Sequence, residues 1–339
     1  MGELPLALLT SELTQTHKLP REWGDDEGKP RYELYAPLGE SDAAVFVKHL
    51  PSGQDVGRRT YGLLAALDRA VRARTAAEQL YVTPHPVAHG SDPSYIAYHW
   101  VAGRELRYAL AELVDVPSGA DDVAQRRANE LARAAGRALA QLHQDLAGVA
   151  AREAAVLGDL VDDCPRWFSP LHSARRANGS GKVPAIEDLG PWNIVEGAGR
   201  IVFIDLLIAR RWPADVDVGR LAYFVVDKAG PALRRREAIP LARSVVDGYL
   251  SVPAESRPVA SRRLCLYAAF VFGLIRNVQR VSSRADGWRR RHSLRRLGWS
   301  LELGWAAVRP GGRSPASSPS EAAHRARRAV PSAGGSASV

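Results

Sequence analysis

Cysteine is almost missing from this 339-residue chain, which holds only Cys164 and Cys265. Two thiols so far apart exclude a disulfide framework and a cysteine-based zinc site, and they fit a reducing compartment, the cytoplasm. Long apolar runs are missing as well: the longest, residues 264–275, is too short to cross a bilayer. The first 20 residues carry no basic stretch ahead of their short apolar run, so no secretory signal is read there. No internal repeat is visible. After Pro310 large apolar residues nearly vanish and Ser, Ala, Gly, Pro and Arg take over. Residues 311–339 therefore bury too little surface to offset the entropy of ordering and read as a disordered tail.

What is present is ordinary for a globular chain, with 46% hydrophobic and 24% charged residues, enough for one large domain or two lobes. The net charge is +9, and much of the excess sits at Arg289, Arg290, Arg291, Arg295 and Arg296 and at Arg325, Arg327 and Arg328. Such a balance attracts acidic partners, but aromatic and basic residues do not interleave on a strand or recognition helix, so the arginines read as a solvated face rather than a nucleic-acid site.

Periodicity divides the rest. Residues 1–103 look strand-rich: alternation over residues 32–35, a turn at 37–42 and a return strand at 43–50 make a hairpin. Leu63, Leu67 and Val71 give helical spacing within residues 55–80. A proline-broken stretch follows at residues 83–86, and a further strand over 95–101 stops at Gly103. Residues 104–310 look mostly helical, with Leu131, Ala135, Leu139 and Leu142 marking one core face, and with one strand-like interruption at 185–205. The expectation is an α+β chain of two lobes, a small antiparallel sheet followed by a larger helical part.

The strand-like interruption carries the chemistry. Asp188 precedes a Gly-Pro turn, and Asn193 follows five positions after Asp188. Ile194 and Val195 open a short strand, residues 197–199 make a tight turn, and residues 201–204 return to deliver Asp205. One hairpin thus gathers two carboxylates and a carboxamide. Asn193 and Asp205 are hard oxygen donors suited to a magnesium ion that keeps phosphate oxygens and water in its shell. Asp188 is then left to orient a hydroxyl and accept its proton.

This segment resembles the catalytic loop and metal-binding Asp of the aminoglycoside phosphotransferase and choline kinase-like family, which has the two-lobed protein-kinase-like fold. The resemblance implies an ATP- and Mg2+-dependent kinase acting on a small-molecule hydroxyl, with Asp188 as base and Asn193 and Asp205 as metal ligands. It implies that Lys48, alternating with apolar residues in Val45-Phe-Val-Lys48, meets the ATP phosphates. It makes residues 95–103 the hinge, where His99 and Val101 would offer main-chain atoms to adenine. Asp217 resembles the family's structural Asp, and His143 ends a stretch similar to its long core helix, where it reads as a packed helix-end residue. Residues 1–103 would be the nucleotide-binding lobe and 104–310 the acceptor lobe.

Three departures stand out. Ile186 and Glu187 occupy the place of the family's His-Gly before the base; isoleucine can only pack, and Glu187 sets a second carboxylate beside Asp188. No Glu is aligned to pair with Lys48, for which Asp68 and Glu78 are the candidates. A Gly-rich phosphate loop is missing, and residues 37–42 are its replacement. The acceptor is not readable: Asp159, Asp162, Asp163, Cys164, Trp167 and His172 could receive a cationic sugar or form a solvated loop. A pseudokinase that binds nucleotide without transfer is the alternative, and contact with a membrane surface through residues 288–305 is a lesser one.

Overall fold

Val45, Phe46 and Val47 are all buried, and the strand's pleat sends them to opposite faces. Val45 and Val47 pack with Ala88, Tyr95 and Ala97 on one side, while Phe46 joins the main core on the other. Lys48 lies on the Phe46 face, two residues on, so one apolar neighbour and one amine share a direction. The computed structural model describes residues 13–18, 31–37, 44–50, 56–91, 94–114, 121–158, 160–165, 168, 182–197, 199–229, 235–282, 298, 300, 301 and 304. The expected tail, the arginine segments, Asp159, Trp167, His172 and most of the 37–42 turn lie outside these residues.

The first sheet is antiparallel, in the order β1 (Leu13–Lys18), β2 (Arg31–Pro37), β3 (Val45–His49), β6 (Ser94–His99), β5 (Pro86–Ser91). In its register Lys48 stands between Tyr32 and Ile96, and Phe46 opposite Tyr98. Helix α1 (Val56–Arg72) covers the Phe46 face with Leu63, Leu64, Leu67 and Val71. The helix stops at Arg72 rather than running on toward residue 80. The proline-broken stretch leads into β5, whose alternation is interrupted by a register shift between Pro86 and Ala88.

The second lobe is built on α3 (Asp121–Arg152) and α6 (Arg235–Ser251), with α5 (Ala214–Lys228) and α7 (Arg262–Ser282) packed beside them. Helices α2 (Leu106–Val114) and α4 (Ala154–Leu157) flank α3. The α3–α6 crossing is close because glycine sits on both sides. A Cβ at Gly136 would lie 2.0 Å from the Val245 carbonyl oxygen, and one at Gly248 would lie 2.1 Å from that of Arg133.

This lobe holds more strand than its sequence suggests. One sheet runs β4 (Tyr81–Val82), β11 (Arg200–Phe203), β10 (Ile194–Gly197), β7 (Arg104–Glu105). Another runs β8 (Val161–Asp162), β12 (Ile208–Pro213), β9 (Lys182–Ile186). The two-residue strands have no periodicity of their own and exist only through pairing with distant partners, while β12 carries two arginines that hide its alternation. No helix among the described residues is long and apolar enough to cross a membrane.

The parallel pairing of β4 with β11 ties the chain leaving α1 to the second lobe. Arg74 grips Asp145 of α3 at 2.5 and 2.7 Å, and Tyr81 donates its hydroxyl to the same carboxylate at 2.8 Å. Burial and the nearby Asp145 push the Tyr81 hydroxyl pKa well above its usual value, keeping it a donor.

Gly136→Ala provides a test of the helix crossing. Helix propensity alone favours alanine by about 1 kcal/mol, but the clash with the Val245 carbonyl is with backbone and cannot be relieved by a rotamer. The variant is expected to lose about 1–3 kcal/mol of stability, read as a lowered urea midpoint with an unchanged slope.

Candidate active site

The hairpin β10–β11 sets the distances. Ile194 pairs with Phe203, and the chain beyond closes with Ile204 N–H donating to the Asn193 carbonyl at 3.0 Å. That bond brings residue 193 opposite residue 204, so Asp205 leaves the hairpin beside Asn193. Asp205 has φ +53°, the left-handed region that a short polar side chain tolerates better than most. From there its carboxylate forms an ion pair with the Lys48 amine across the lobes. Asp68 and Glu78, the expected partners of Lys48, are engaged elsewhere. Asp68 takes Arg72 at 2.8 Å and His85 at 3.0 Å, and Glu78 caps Thr75 at 2.8 and 2.9 Å.

Asp188 is exposed on the loop between β9 and β10. Its Oδ2 accepts the Trp192 indole N–H at 3.2 Å and the Asn193 amide at 3.1 Å; the same amide also donates to the Asp188 carbonyl at 3.0 Å. The donor end of Asn193 is thereby turned to Asp188, leaving its carbonyl oxygen as an acceptor. Glu187 does not crowd the base. It receives Arg210 Nε at 3.1 Å, while the other arm of that arginine reaches Asp163 at 2.7 Å. Hydrogen bonds to Asp163 and then Glu187 raise the Arg210 pKa, so the guanidinium stays charged. Asp162 pairs with Lys182 at 3.0 Å, so the acidic cluster at 162–163 is partly neutralised by its own neighbours.

The Ile186 side chain packs in the main core, while its main chain is held from below. Its N–H donates to Asp217 Oδ2 at 3.2 Å, and its carbonyl accepts Arg220 at 3.1 Å. Arg220 also donates to the Glu187 carbonyl at 2.5 Å. Both residues belong to α5, and the Asp217 carboxylate is fully buried. His143 completes the brace with one ring nitrogen 3.2 Å from Asp217 and the other 3.1 Å from the Tyr249 hydroxyl. It is a mid-helix residue, since α3 continues to Arg152. Burial pulls the Arg220 pKa down, opposed by Asp217 and by Asp188 and Glu187. Its Cζ lies 5.3 Å from the Trp212 ring and 5.7 Å from that of Phe272.

Between the lobes lies a cavity of about 430 Å3, of the size that small ligands use. Phe46 comes from β3, Tyr98, Trp100, Val101 and Gly103 from the connecting strand and turn, and Val195 and Ile204 from the hairpin. Phe46 stands 5.1 Å from Tyr98 and 5.9 Å from Trp100, ring to ring. Val101 lines this space, and among the described residues nothing hydrogen-bonds its main-chain N–H. His99 does not line it. Its N–H goes to the His85 carbonyl at 2.9 Å and its ring stacks on His85 at 5.6 Å. Val101 was an expected member of this wall; Tyr98, Trp100, Val195 and Ile204 were not read as wall residues from sequence, and for Phe46 the available signal was its i, i+2 relation to Lys48.

These groups fit a nucleotide with a divalent cation. An apolar slot with a main-chain donor suits a base, and an amine beside a carboxylate suits phosphates and a metal. Among the described residues no group of three or more His, Cys, Asp or Glu could hold an ion by itself. A cation at Asp205 and Asn193 would complete its shell with phosphate and water oxygens, as magnesium does.

Neither a protein-family model nor a curated protein matches the chain. Solved structures do. A glucosamine kinase is 16% identical, with 84% of this chain and 79% of that one covered and a TM-score of 0.48. A choline kinase from Cryptosporidium parvum Iowa II is 14% identical, covering 88% and 90%, with a TM-score of 0.40. An amicoumacin kinase in complex with AMP-PNP and Ca2+ is 11% identical, covering 87% and 88%, at 0.44. Each is a kinase.

The brace makes a prediction independent of any ligand. Arg220→Met leaves Asp217 buried without its cation and should lower stability by about 3–5 kcal/mol. Adding Asp217→Asn should restore part of that loss, and urea denaturation of the parent protein and the two variants measures it.

Proposed function

We propose that this chain is an ATP- and Mg2+-dependent phosphotransferase whose acceptor is a hydroxyl of a small molecule. The observation that carries the reading is the convergence of Lys48, Asp205, Asn193 and Asp188 on one hairpin and one strand, beside an inter-lobe cavity. ATP would supply the terminal phosphoryl group, and Mg2+ the neutralisation of its charge. Lys48 would turn its amine from Asp205 to the phosphates, and Asp205 with the Asn193 carbonyl oxygen would hold the cation. The walls from Phe46, Val195 and Ile204 would exclude water from the base, with the Val101 N–H as its directional contact. Asp188, exposed at the loop, would orient the acceptor hydroxyl and take its proton, the positioning work that dominates phosphoryl transfer. Cys164 and Cys265 are not joined in a disulfide, which supports a cytoplasmic setting.

A pseudokinase is the second reading, favoured by the Ile186-Glu187 departure and by Asp68 and Glu78 facing away from Lys48. The pairing of Glu187 with Arg210 and the brace beneath Ile186 support the active enzyme instead, because they leave Asp188 accessible and its backbone held.

The experiment is ADP release from ATP and magnesium with hydroxyl probes including glucosamine and choline, acceptors named for similar structures. Asp188→Asn should lower kcat by about 10²–10⁴-fold while ATP with magnesium still raises the melting temperature. Asp205→Ala should remove the magnesium-dependent part of that rise. ADP release undiminished in both variants would refute the assignment, and a thermal shift with no turnover of any hydroxyl would favour the pseudokinase.

A further inference from the structure

The two oxygens of the Asp188 carboxylate are treated differently by the protein. Oδ2 accepts two N–H groups, from the Trp192 indole and the Asn193 amide, while among the described residues no donor reaches Oδ1. A carboxylate oxygen offers about two acceptor positions, so Oδ2 is filled by the loop itself.

The indole is placed for this contact by three features. Its ring meets Phe224 of α5 edge-on, with centroids 4.8 Å apart and planes at 76°. The Lys228 amine stands 5.7 Å from its ring centroid. Gly190 leaves the space that the ring needs: a Cβ there would come within 2.3 Å of it. Gly190 has no positive φ, so glycine is required by the indole and not by the backbone. The loop is pinned on its other side by Arg107 N–H donating to the Pro191 carbonyl at 3.1 Å.

We propose that Trp192 is a positioning residue for the base: its indole N–H, together with the Asn193 amide, holds Oδ2 and leaves Oδ1 to take the acceptor's proton. The proposal rests on the reading of Asp188 as the base. Asn193 gains a second duty from it, with its amide nitrogen on the base and its carbonyl oxygen toward the cation, so one side chain sets the spacing between proton acceptor and metal. Packing alone would use the Trp192 ring and be indifferent to its N–H, which is where the two accounts separate.

Two measurements decide between them. In 15N-labelled protein, the indole resonance that disappears in Trp192→Phe should move upfield in Asp188→Ala, because the hydrogen bond is lost. In ADP release with the glucosamine and choline probes, Trp192→Phe keeps an aromatic ring against Phe224 and should lower kcat about tenfold, the worth of one charge-assisted hydrogen bond. KM for ATP and the ATP-induced thermal shift should not change. Gly190→Ala, which displaces the indole, should cause a similar loss, and the double variant should fall no further than Trp192→Phe alone. An indole resonance unmoved by Asp188→Ala, a wild-type kcat in Trp192→Phe, or losses that multiply in the double variant would each overturn the positioning role. Full activity in Asp188→Asn would instead overturn the base assignment, and this proposal with it.

Discussion

Asp217 is a carboxylate at zero exposure beneath a loop that has to stay at the surface. Burying such a charge without partners is prohibitive, and the structure compensates it from three directions: the Ile186 N–H, the His143 ring and the Arg220 guanidinium. Arg220 stands 3.5 Å from Asp217 Oδ1, an ionic contact, and directs its hydrogen bonds to the carbonyls of residues 186 and 187. The backbone immediately before Asp188 is thus clamped at both its N–H and its carbonyls. The loop inherits its position from α3 and from α5, which is buried along almost its whole length.

The hairpin translates that fixed loop into a fixed relation between lobes. β10 pairs with β7 just after the connecting segment, and β11 pairs with β4 just after α1. Both covalent routes out of the first lobe are therefore stitched to the same two strands. Gln141 of α3 adds to this by accepting from Leu80 N–H and donating to the Glu78 carbonyl, each at 2.8 Å. The inter-lobe cavity lies inside this frame, with Phe46 from one sheet facing Val195 and Ile204 from the other. The Lys48–Asp205 ion pair joins the near neighbours in sequence of two lining residues, Phe46 and Ile204, and there an amine and a carboxylate neutralise each other.

Much of the site was legible because its residues are close in sequence. Asp188, Asn193 and Asp205 fall within one hairpin, and turn chemistry with a short alternating return strand is local information. For Lys48, alternation on β3 gave only the face it takes, and its expected role came from the resemblance of residues 45–48. Arg220, which donates to the carbonyls of residues 186 and 187, was not legible, since it is 34 positions from Ile186 and nothing local marks it. His143 was read as a helix-end residue because helical spacing does not show where a long helix stops. For His99, alternation fixes a strand's end only to within a residue or two, and only the pairing with the His85 carbonyl shows which way its N–H points.

The sequence by itself determined the clearly periodic helices and strands, the hairpin and the identity of the oxygen groups it presents, because alternation, helical spacing and turn preference act over a few neighbours. The tertiary structure alone decided which carboxylate meets Lys48, where Glu187 discharges its negative charge and what holds the loop under Asp188. Those outcomes depend on distances between residues brought together by core packing, and a buried charge selects its partners from whatever the packing delivers.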